Sequence, residues 1–247
     1  MIKFFRKFRQ KLLSENKFSK YLIYAFGEIV LVVIGILIAL QINNWNENRI
    51  NSQREQVILN SLKSELIINL KELNTDYERT VTYHQATINV YDFILKNSVE
   101  NDSMYKDFFD FVQFTYFFPK ASTYETLKSG NLELIKSDSL RETITDVYET
   151  GFKRIVDKVD TRRNAARLLF PYYQKHFKSK FLQDTGYLDF SENIGVPNNY
   201  SFLVDDPEFE TLVVEAIRGR ANSLRDYERT IDVVELCLKQ INRYLEN

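Results

Sequence analysis

The chain has 247 residues, and its 33 Lys and Arg nearly balance 34 Asp and Glu, giving a formal net charge of −1. A chain of this length with 44% hydrophobic residues can bury a real core, and its single cysteine excludes an internal disulfide. Glycine and proline number only 7 and 4, and this scarcity of helix breakers, with long 3.6-residue periodicity, predicts an all-α fold.

Residues 1–20 form a basic arm ahead of the first apolar stretch. They contain seven Lys or Arg and one Glu, and their apolar residues recur at helical spacing: Phe4, Phe5, Phe8 and Leu12. This pattern predicts a short amphipathic helix on an anionic inner leaflet. The basic residues can also simply set the membrane topology, and the two roles are compatible. Nothing else in the chain supports nucleic-acid binding, so no nucleic acid is expected as a partner.

The stretch from Tyr21 to Trp45 is long and apolar enough to cross a bilayer. Ile29–Leu40 contains no polar side chain, and aromatic residues flank the run at both ends. The 21 steps from Tyr24 to Trp45 correspond to about 31 Å of helix, close to one hydrocarbon thickness. We therefore predict a transmembrane signal-anchor helix over 21–45, with the lipid bilayer as its partner. The alternatives are a buried core helix and a cleaved signal peptide, but no small-residue cleavage site follows the run.

Charge is distributed unevenly about this segment. The first twenty residues sum to +6, whereas the region after Trp45, with 26 basic and 32 acidic residues, sums to −6. Because basic flanks stay in the cytoplasm, we expect a cytoplasmic amino terminus and a periplasmic domain over 46–247. The expected location is the bacterial inner membrane, crossed once.

Glu28 is the only charged residue between Tyr21 and Ile42. Gly35 follows it by seven residues and Ala39 by a further four, so all three share one helix face. Small residues admit a second helix, and an acid within the membrane marks a partner-facing side. We predict a helix–helix face at Glu28, Gly35 and Ala39. The alternative is that Glu28 simply extends its carboxylate to the nearby cytoplasmic interface.

The sequence immediately beyond the membrane predicts a long helix. Asn46–Lys96 lacks Gly and Pro, and its apolar residues step by three and four: Leu59, Leu62, Leu66, Leu70, Leu73, Tyr77 and Val81.

After a polar break at 97–102, an aromatic-rich helix is predicted over 104–118, ended by Pro119. Three of its aromatic residues are spaced to face a thick core together: Phe108, Phe111 and Phe114. A hydrophobic surface for a ligand or partner is the alternative.

Capping signals mark two further helices in the middle of the chain. Ser122 and Glu125 have the spacing of a capping box for a short helix. Ser137 or Asp138 can cap a longer helix that reaches about Phe177.

The carboxyl-terminal part of the chain begins with its least regular stretch. Residues 181–205 hold two Gly, one Pro and several Asn and Asp, and they are predicted as the longest loop. Asp206 and Pro207 then start a last helix, which carries an unbroken heptad pattern: Leu224, Tyr227, Ile231, Val234, Leu238, Ile241 and Leu245. This seam packs antiparallel on the helix after the membrane, or on the same helix of a second subunit.

The fold class is therefore all-α: a single N-terminal transmembrane helix followed by an elongated extracytoplasmic helical bundle with long coiled-coil-like helices.

Residues able to carry chemistry are few. The two histidines, His84 and His176, have no ligand residue at metal-binding spacing, so no metal, cofactor or catalytic residue is predicted. Cys237 lies beside the heptad seam, where a semi-buried inert thiol is expected and an intermolecular disulfide is the alternative.

Two blocks of sequence resemble a known family. Residues 1–49 read MIKFFRKFRQKLLSENKFSKYLIYAFGEIVLVVIGILIALQINNWNENR, and residues 122–149 read STYETLKSGNLELIKSDSLRETITDVYE. Both are similar to an uncharacterised family of bacterial membrane proteins common in Bacteroidota. The resemblance implies a single membrane span and a helical extracytoplasmic region. The family is a domain of unknown function, so the resemblance implies no catalytic residues.

Three functions are open from the sequence. The first is a non-enzymatic, membrane-anchored helical module that binds an envelope protein, a ligand or a second copy of itself. The second is an accessory single-span subunit of an ion-driven membrane machine that uses Glu28. The third is a periplasmic enzyme with its site in the 181–205 loop.

Overall fold

The computed structural model describes residues 18–157, 159–181 and 193–246. Contacts divide the chain into two compact units, Met1–Gln56 and Val57–Asn247, and helix α1, Phe18–Leu95, contributes residues to both. The predicted surface helix of the basic arm falls almost wholly within 1–17, outside the described residues.

In the first unit, the described residues belong to α1 and present apolar side chains on its surface. Every residue from 29 to 40 is exposed, and Ile23 and Trp45 are 71% and 68% exposed. Among the described helices, α1 is the one that is long and apolar enough to cross a membrane, and none of its apolar window is buried. These features are compatible with a single membrane span near the amino terminus. They contradict the alternative of a core helix, because a core helix would bury these side chains.

The second unit consists mainly of helices, which confirms the all-α prediction. After α1 come α2 (Met104–Asp110), α3 (Ser122–Lys128), a 3-10 turn (Leu132–Leu134), α4 (Asp138–Asp146), a π-helical segment (Val147–Phe152), α5 (Lys153–Asp157) and α6 (Val159–His176). Strands β1 (Phe177–Phe181) and β2 (Asn193–Pro197), α7 (Tyr200–Val204) and α8 (Pro207–Leu245) follow.

Two hydrophobic clusters form the core of this unit. The first joins Leu59–Leu73 of α1 to α4, the π-helical segment and the carboxyl-terminal half of α8. The second joins Val90 and Ile94 of α1 to α2, the end of α6 and the start of α8. Helices α1 and α8 run antiparallel, since Tyr77 hydrogen-bonds to Glu228 whereas Thr87, further along α1, accepts a bond from Arg220. The alternative pairing with a second subunit stays a prediction.

The seam of α8 is centred one residue away from the predicted heptad. Tyr227, Val234 and Ile241 are fully buried as expected, but Ile231 and Leu238 are only partly buried. Thr230 and Cys237 are 0% exposed and take their place. The reason is close packing against the π-helical segment, where a Cβ added at Gly151 would lie 3.2 Å from the Thr230 methyl carbon.

The aromatic run at 104–118 is partly helical and partly irregular. Helix α2 ends at Asp110, so the prediction of a helix reaching Pro119 is wrong. Phe108 and Phe111 pack in the second cluster with Phe177 at ring-centroid distances of 5.3 and 6.0 Å, which confirms a thick aromatic core. Residues 113–121, here called the connecting segment, form neither helix nor strand.

Side chains of α1 hydrogen-bond to the backbone around the connecting segment. The fully buried Asn69 amide donates to the Lys120 carbonyl and accepts from the Lys120 N–H, each at 2.8 Å. The Phe118 N–H donates to Glu72 Oε1 at 3.1 Å. Backbone groups inside a protein need such partners, so these contacts allow the segment to pack without regular secondary structure.

Helix α3 is capped by a residue from α1. Glu65 accepts from the Ser122 hydroxyl and the Thr123 N–H at 3.1 and 2.9 Å, and from the Tyr148 hydroxyl at 2.6 Å. The predicted capping box of Ser122 and Glu125 does not form, because Ser122 is the first residue of the helix and Ala121 holds the cap position. By contrast, Ser137 and Asp206 cap α4 and α8 as predicted.

Part of the predicted 181–205 loop is regular. Strands β1 and β2 pair antiparallel, with Phe177 opposite Pro197, and α7 follows them. A Cβ added at Gly195 would lie 2.5 Å from the Tyr173 hydroxyl, so the strand packs tightly on α6 only because residue 195 is glycine. Residues 182–192 lie outside the description.

Replacing Glu65 by Gln should destabilise the second unit, because the amide cannot accept all three hydrogen bonds. We expect a loss of about 1–3 kcal/mol in the free energy of unfolding at pH 7. Burial raises the pKa of Glu65, but the hydrogen bonds from Tyr148, Thr123 and Ser122 outweigh it and place the pKa below 4.5. The stabilisation is therefore present above about pH 4.5 and is lost as the pH falls through the folded-state pKa.

Urea unfolding of the full-length protein in a mild detergent, followed by circular dichroism at pH 7 and pH 3, measures the loss in the free energy of unfolding and its dependence on pH. The matched control is Glu78→Gln, an exposed acid on the same helix, which should change stability by less than about 0.5 kcal/mol. Equal effects of the two substitutions at pH 7 would show that the Glu65 contacts contribute nothing specific.

Candidate functional site

A pocket of about 430 Å³ lies in the second unit, where its two hydrophobic clusters meet. Between the clusters, both α1 and α8 carry polar residues on their inner faces, including Thr80, Thr87 and Arg220. The wall is completed by the start of the connecting segment and by Leu168 and Leu169 of α6. The pocket therefore lies at the level of these polar residues, between the two hydrophobic clusters.

Small residues on α8 leave this space open. Ala216, Gly219 and Ser223 all line the pocket, and their spacing of three and four places them on one helix face with Leu212. A Cβ added at Gly219 would meet no atom within 4 Å. Gly219 is exposed and thus lies at the rim of the pocket, where a larger side chain would narrow the opening.

Arg220 is the buried cation of the pocket. It is 5% exposed, and its guanidinium donates to the Thr87 hydroxyl at 2.8 Å, to the Gln113 carbonyl at 3.0 Å and to the Phe111 carbonyl. The guanidinium carbon also lies 5.4 Å from the centre of the Phe114 ring. These contacts hold the guanidinium in place and end the helical run of α2, since they occupy the carbonyls that follow it.

Burial lowers the pKa of Arg220 to about 10, so the side chain stays positively charged at neutral pH. Within the described ranges, no carboxylate oxygen lies within 4.0 Å of this guanidinium. Asp110, the nearby acid, instead pairs with Lys106 at 2.8 Å. The charge of Arg220 is thus balanced by carbonyl and hydroxyl dipoles rather than by an ion pair.

The remaining polar residues of the pocket include hydroxyl residues, two acids, Arg218 and the amides Gln113 and Asn222. Thr80 and Thr115 lie 3.0 Å apart between their hydroxyl oxygens, and Thr115 is 3.2 Å from the Tyr227 hydroxyl. At the exposed rim, Glu215 forms a 2.6 Å ion pair with Arg218. Asp226 is buried in the lining.

The residues predicted from sequence as a helix–helix face all lie on α1 in the first unit. Gly35 and Ala39 are exposed and Glu28 is half-buried. The structure is of one chain and therefore does not test an interface, so this face stays a prediction.

The histidines and the cysteine lie in different surroundings. His84 is half-buried, and burial and the neighbouring Arg220 lower its pKa, which keeps it neutral at physiological pH. His176 stacks on Tyr172 with ring centroids 4.4 Å apart. Cys237 is fully buried rather than semi-buried, and burial raises its pKa to about 12. Among the residues that the structure describes, no three His, Cys, Asp or Glu residues are grouped to hold a metal ion.

Sequence reasoning missed Arg220 as a site residue, although a signal existed. Extending the α8 heptad backwards from Leu224 by steps of four and three reaches Arg220 and Ile217, so an arginine occupies a core-facing position. A charge at such a position indicates either a buried partner or a binding site.

The fold and the exposed apolar helix together define a helical protein with one segment suited to a membrane. Residues 28–166 match the Family of unknown function (DUF6090), and the chain belongs to this family. The match confirms the family resemblance predicted from the sequence. Its range includes α1 from Glu28 onward and the connecting segment, while α8 lies beyond it. No curated protein and no solved structure matches the chain.

Proposed function

We propose that this protein is a membrane-anchored helical module whose second unit binds a ligand or an envelope protein in the periplasm. The observation that carries the anchor is the apolar surface of α1 between residues 22 and 45, where fifteen large apolar side chains are exposed. Moving them from water into lipid is favourable by on the order of 20 kcal/mol, enough to make membrane insertion effectively permanent.

The binding role is supported by the pocket rather than by the anchor. Its lining combines apolar walls with a fixed guanidinium and threonine hydroxyls, and ligand sites are built in this way. A binding module without catalysis needs only such a site and a position in the envelope. The proposed orientation is supported by the seven Lys and Arg residues of the arm, which lie directly before Tyr21.

Reporter fusions after Asn247 test the anchor and its orientation. We expect an alkaline phosphatase fusion to be active and a green fluorescent protein fusion to stay dark, because only the first works outside the cytoplasm. The matched control neutralises four arm residues, Lys3, Arg6, Lys7 and Arg9, and should reduce phosphatase activity by weakening the cytoplasmic retention signal. A fluorescent fusion in the unaltered protein would contradict the proposed orientation.

A second candidate, an accessory single-span subunit that uses Glu28, is favoured by the open surface around Gly35. A Cβ added there would meet no atom within 4 Å, so a second helix, from another copy or another protein, can approach closely. The acid at Glu28 on the same face would then be shielded by that partner.

Disulfide crosslinking of single cysteines at residues 28 to 39, in a Cys237→Ser background, tests a self-associating version of this face. We expect crosslinks to peak at positions 28, 35 and 39 and to weaken at least severalfold when Gly35→Leu is added to the position-28 and position-39 variants. Ile36→Leu, which changes a neighbouring face without adding bulk, is the control. Uniformly weak crosslinks along the helix would rule out self-association through this face.

A further inference from the structure

We propose that the pocket between α1, α6 and α8 binds a monocarboxylate with an apolar chain, a fatty-acid-type ligand, whose carboxylate pairs with Arg220. This inference deepens the proposed binding function and rests on it only for the location of the ligand.

The charge of Arg220 indicates an anionic group. A guanidinium has five N–H donors, and the contacts to Thr87, Phe111 and Gln113 use three of them. Two donors therefore remain for a ligand. A buried cation without a carboxylate partner costs several kcal/mol, and an anion entering the pocket would recover much of that energy.

The other acids of the pocket indicate a single negative charge. Two acidic residues, Glu215 and Asp226, already line the pocket. At the rim, Arg218 is already paired with Glu215, so it offers little to a second anion. A carboxylate, with one charge and two acceptor oxygens, fits these constraints better than a dianionic phosphate.

The walls and volume indicate an apolar body for the same ligand. The lining is mostly apolar and includes Leu168, Leu169, Leu212 and Phe114, with the small residues of α8 beside them. A volume of about 430 Å³ falls within the range of about 300–1,000 Å³ that is usual for small-molecule sites. An unbranched chain of roughly ten carbons fills such a space with about 0.8 kcal/mol of favourable transfer per methylene.

Decanoate is the probe, and decanol, with the same chain and no charge, is the matched ligand. Full-length protein in lipid nanodiscs is titrated calorimetrically with each, and empty nanodiscs supply the partition background. We expect saturable one-to-one binding of decanoate, about 10–100-fold tighter than decanol, because a charged hydrogen-bonded group contributes about 1.5–3 kcal/mol.

Substitutions at Gly219 and Arg220 test separately the space in the pocket and the positive charge. Gly219→Leu adds a side chain on the pocket face of α8 and should weaken decanoate binding at least tenfold without lowering the melting temperature, because leucine also favours the helix. Gly219→Ala, the control, should leave the affinity within about threefold. Arg220→Met should abolish the preference for decanoate over decanol, and it is informative only together with the Gly219 variants, because its lost hydrogen bonds can destabilise the fold.

Equal affinity of the unaltered protein for decanoate and decanol, or unchanged decanoate affinity in Gly219→Leu, overturns the proposal. The activity of the reporter fusions does not depend on any ligand, so the location and the ligand are tested separately. A periplasmic reporter with no saturable decanoate binding overturns this inference alone. A cytoplasmic reporter with pocket-dependent binding overturns the proposed location and leaves the ligand class standing.

Discussion

The second unit depends on one constraint: the backbone around its connecting segment must find hydrogen-bond partners inside the protein. Three residues on one face of α1 provide them, namely Glu65, Asn69 and Glu72. The Asn69 amide meets both backbone groups of Lys120, as a neighbouring strand would. An unsatisfied buried backbone group costs about 1–3 kcal/mol, so these side chains decide whether the segment can pack at all.

The rest of the architecture follows from the position of this segment. Glu65 also accepts a hydrogen bond from the Tyr148 hydroxyl. It therefore links the start of α3 to the π-helical segment, which in turn packs on α8. At the other end of the segment, Arg220 donates hydrogen bonds to the carbonyls of Phe111 and Gln113. These bonds link α8 to the end of α2. Of these contacts, the Arg220 hydrogen bonds lie at the pocket between the two hydrophobic clusters, whereas the Glu65 hydrogen bonds lie beside the first cluster.

Local signals in the sequence predicted much of the fold. The long helices, the caps at Ser137 and Asp206 and the aromatic core at Phe108 and Phe111 depend on residues close together in the chain, and all are present. The capping of α3 and the end of α2 depend on Glu65 and Arg220, which lie more than fifty residues from the groups that they bind. Periodicity of apolar residues cannot indicate such contacts, since the polar residues that make them interrupt the pattern.

The candidate site was hidden from sequence reasoning for the same reason. A pocket is formed by what small side chains leave empty, and Ala216, Gly219 and Ser223 attract no attention in a helix that otherwise has regular heptads. The extended heptad places Arg220 at a core-facing position, but the groups that it binds lie more than a hundred residues away in the chain. The apolar run of α1, by contrast, is a property of composition along a single helix, so the sequence alone was sufficient to predict a helix compatible with a membrane span.

Hydrogen exchange of the connecting segment tests this account most directly. If α1 side chains serve as its backbone partners, the amides of Phe118, Lys120 and Thr123 should exchange far more slowly than those of an open loop in the unaltered protein, although no regular secondary structure precedes Ser122. Asn69→Ala should speed that exchange at least tenfold while α8 stays protected, and Asn74→Ala, at an exposed position of the same helix, should not. Exchange of this segment at the rate of an open loop in the unaltered protein would contradict the account.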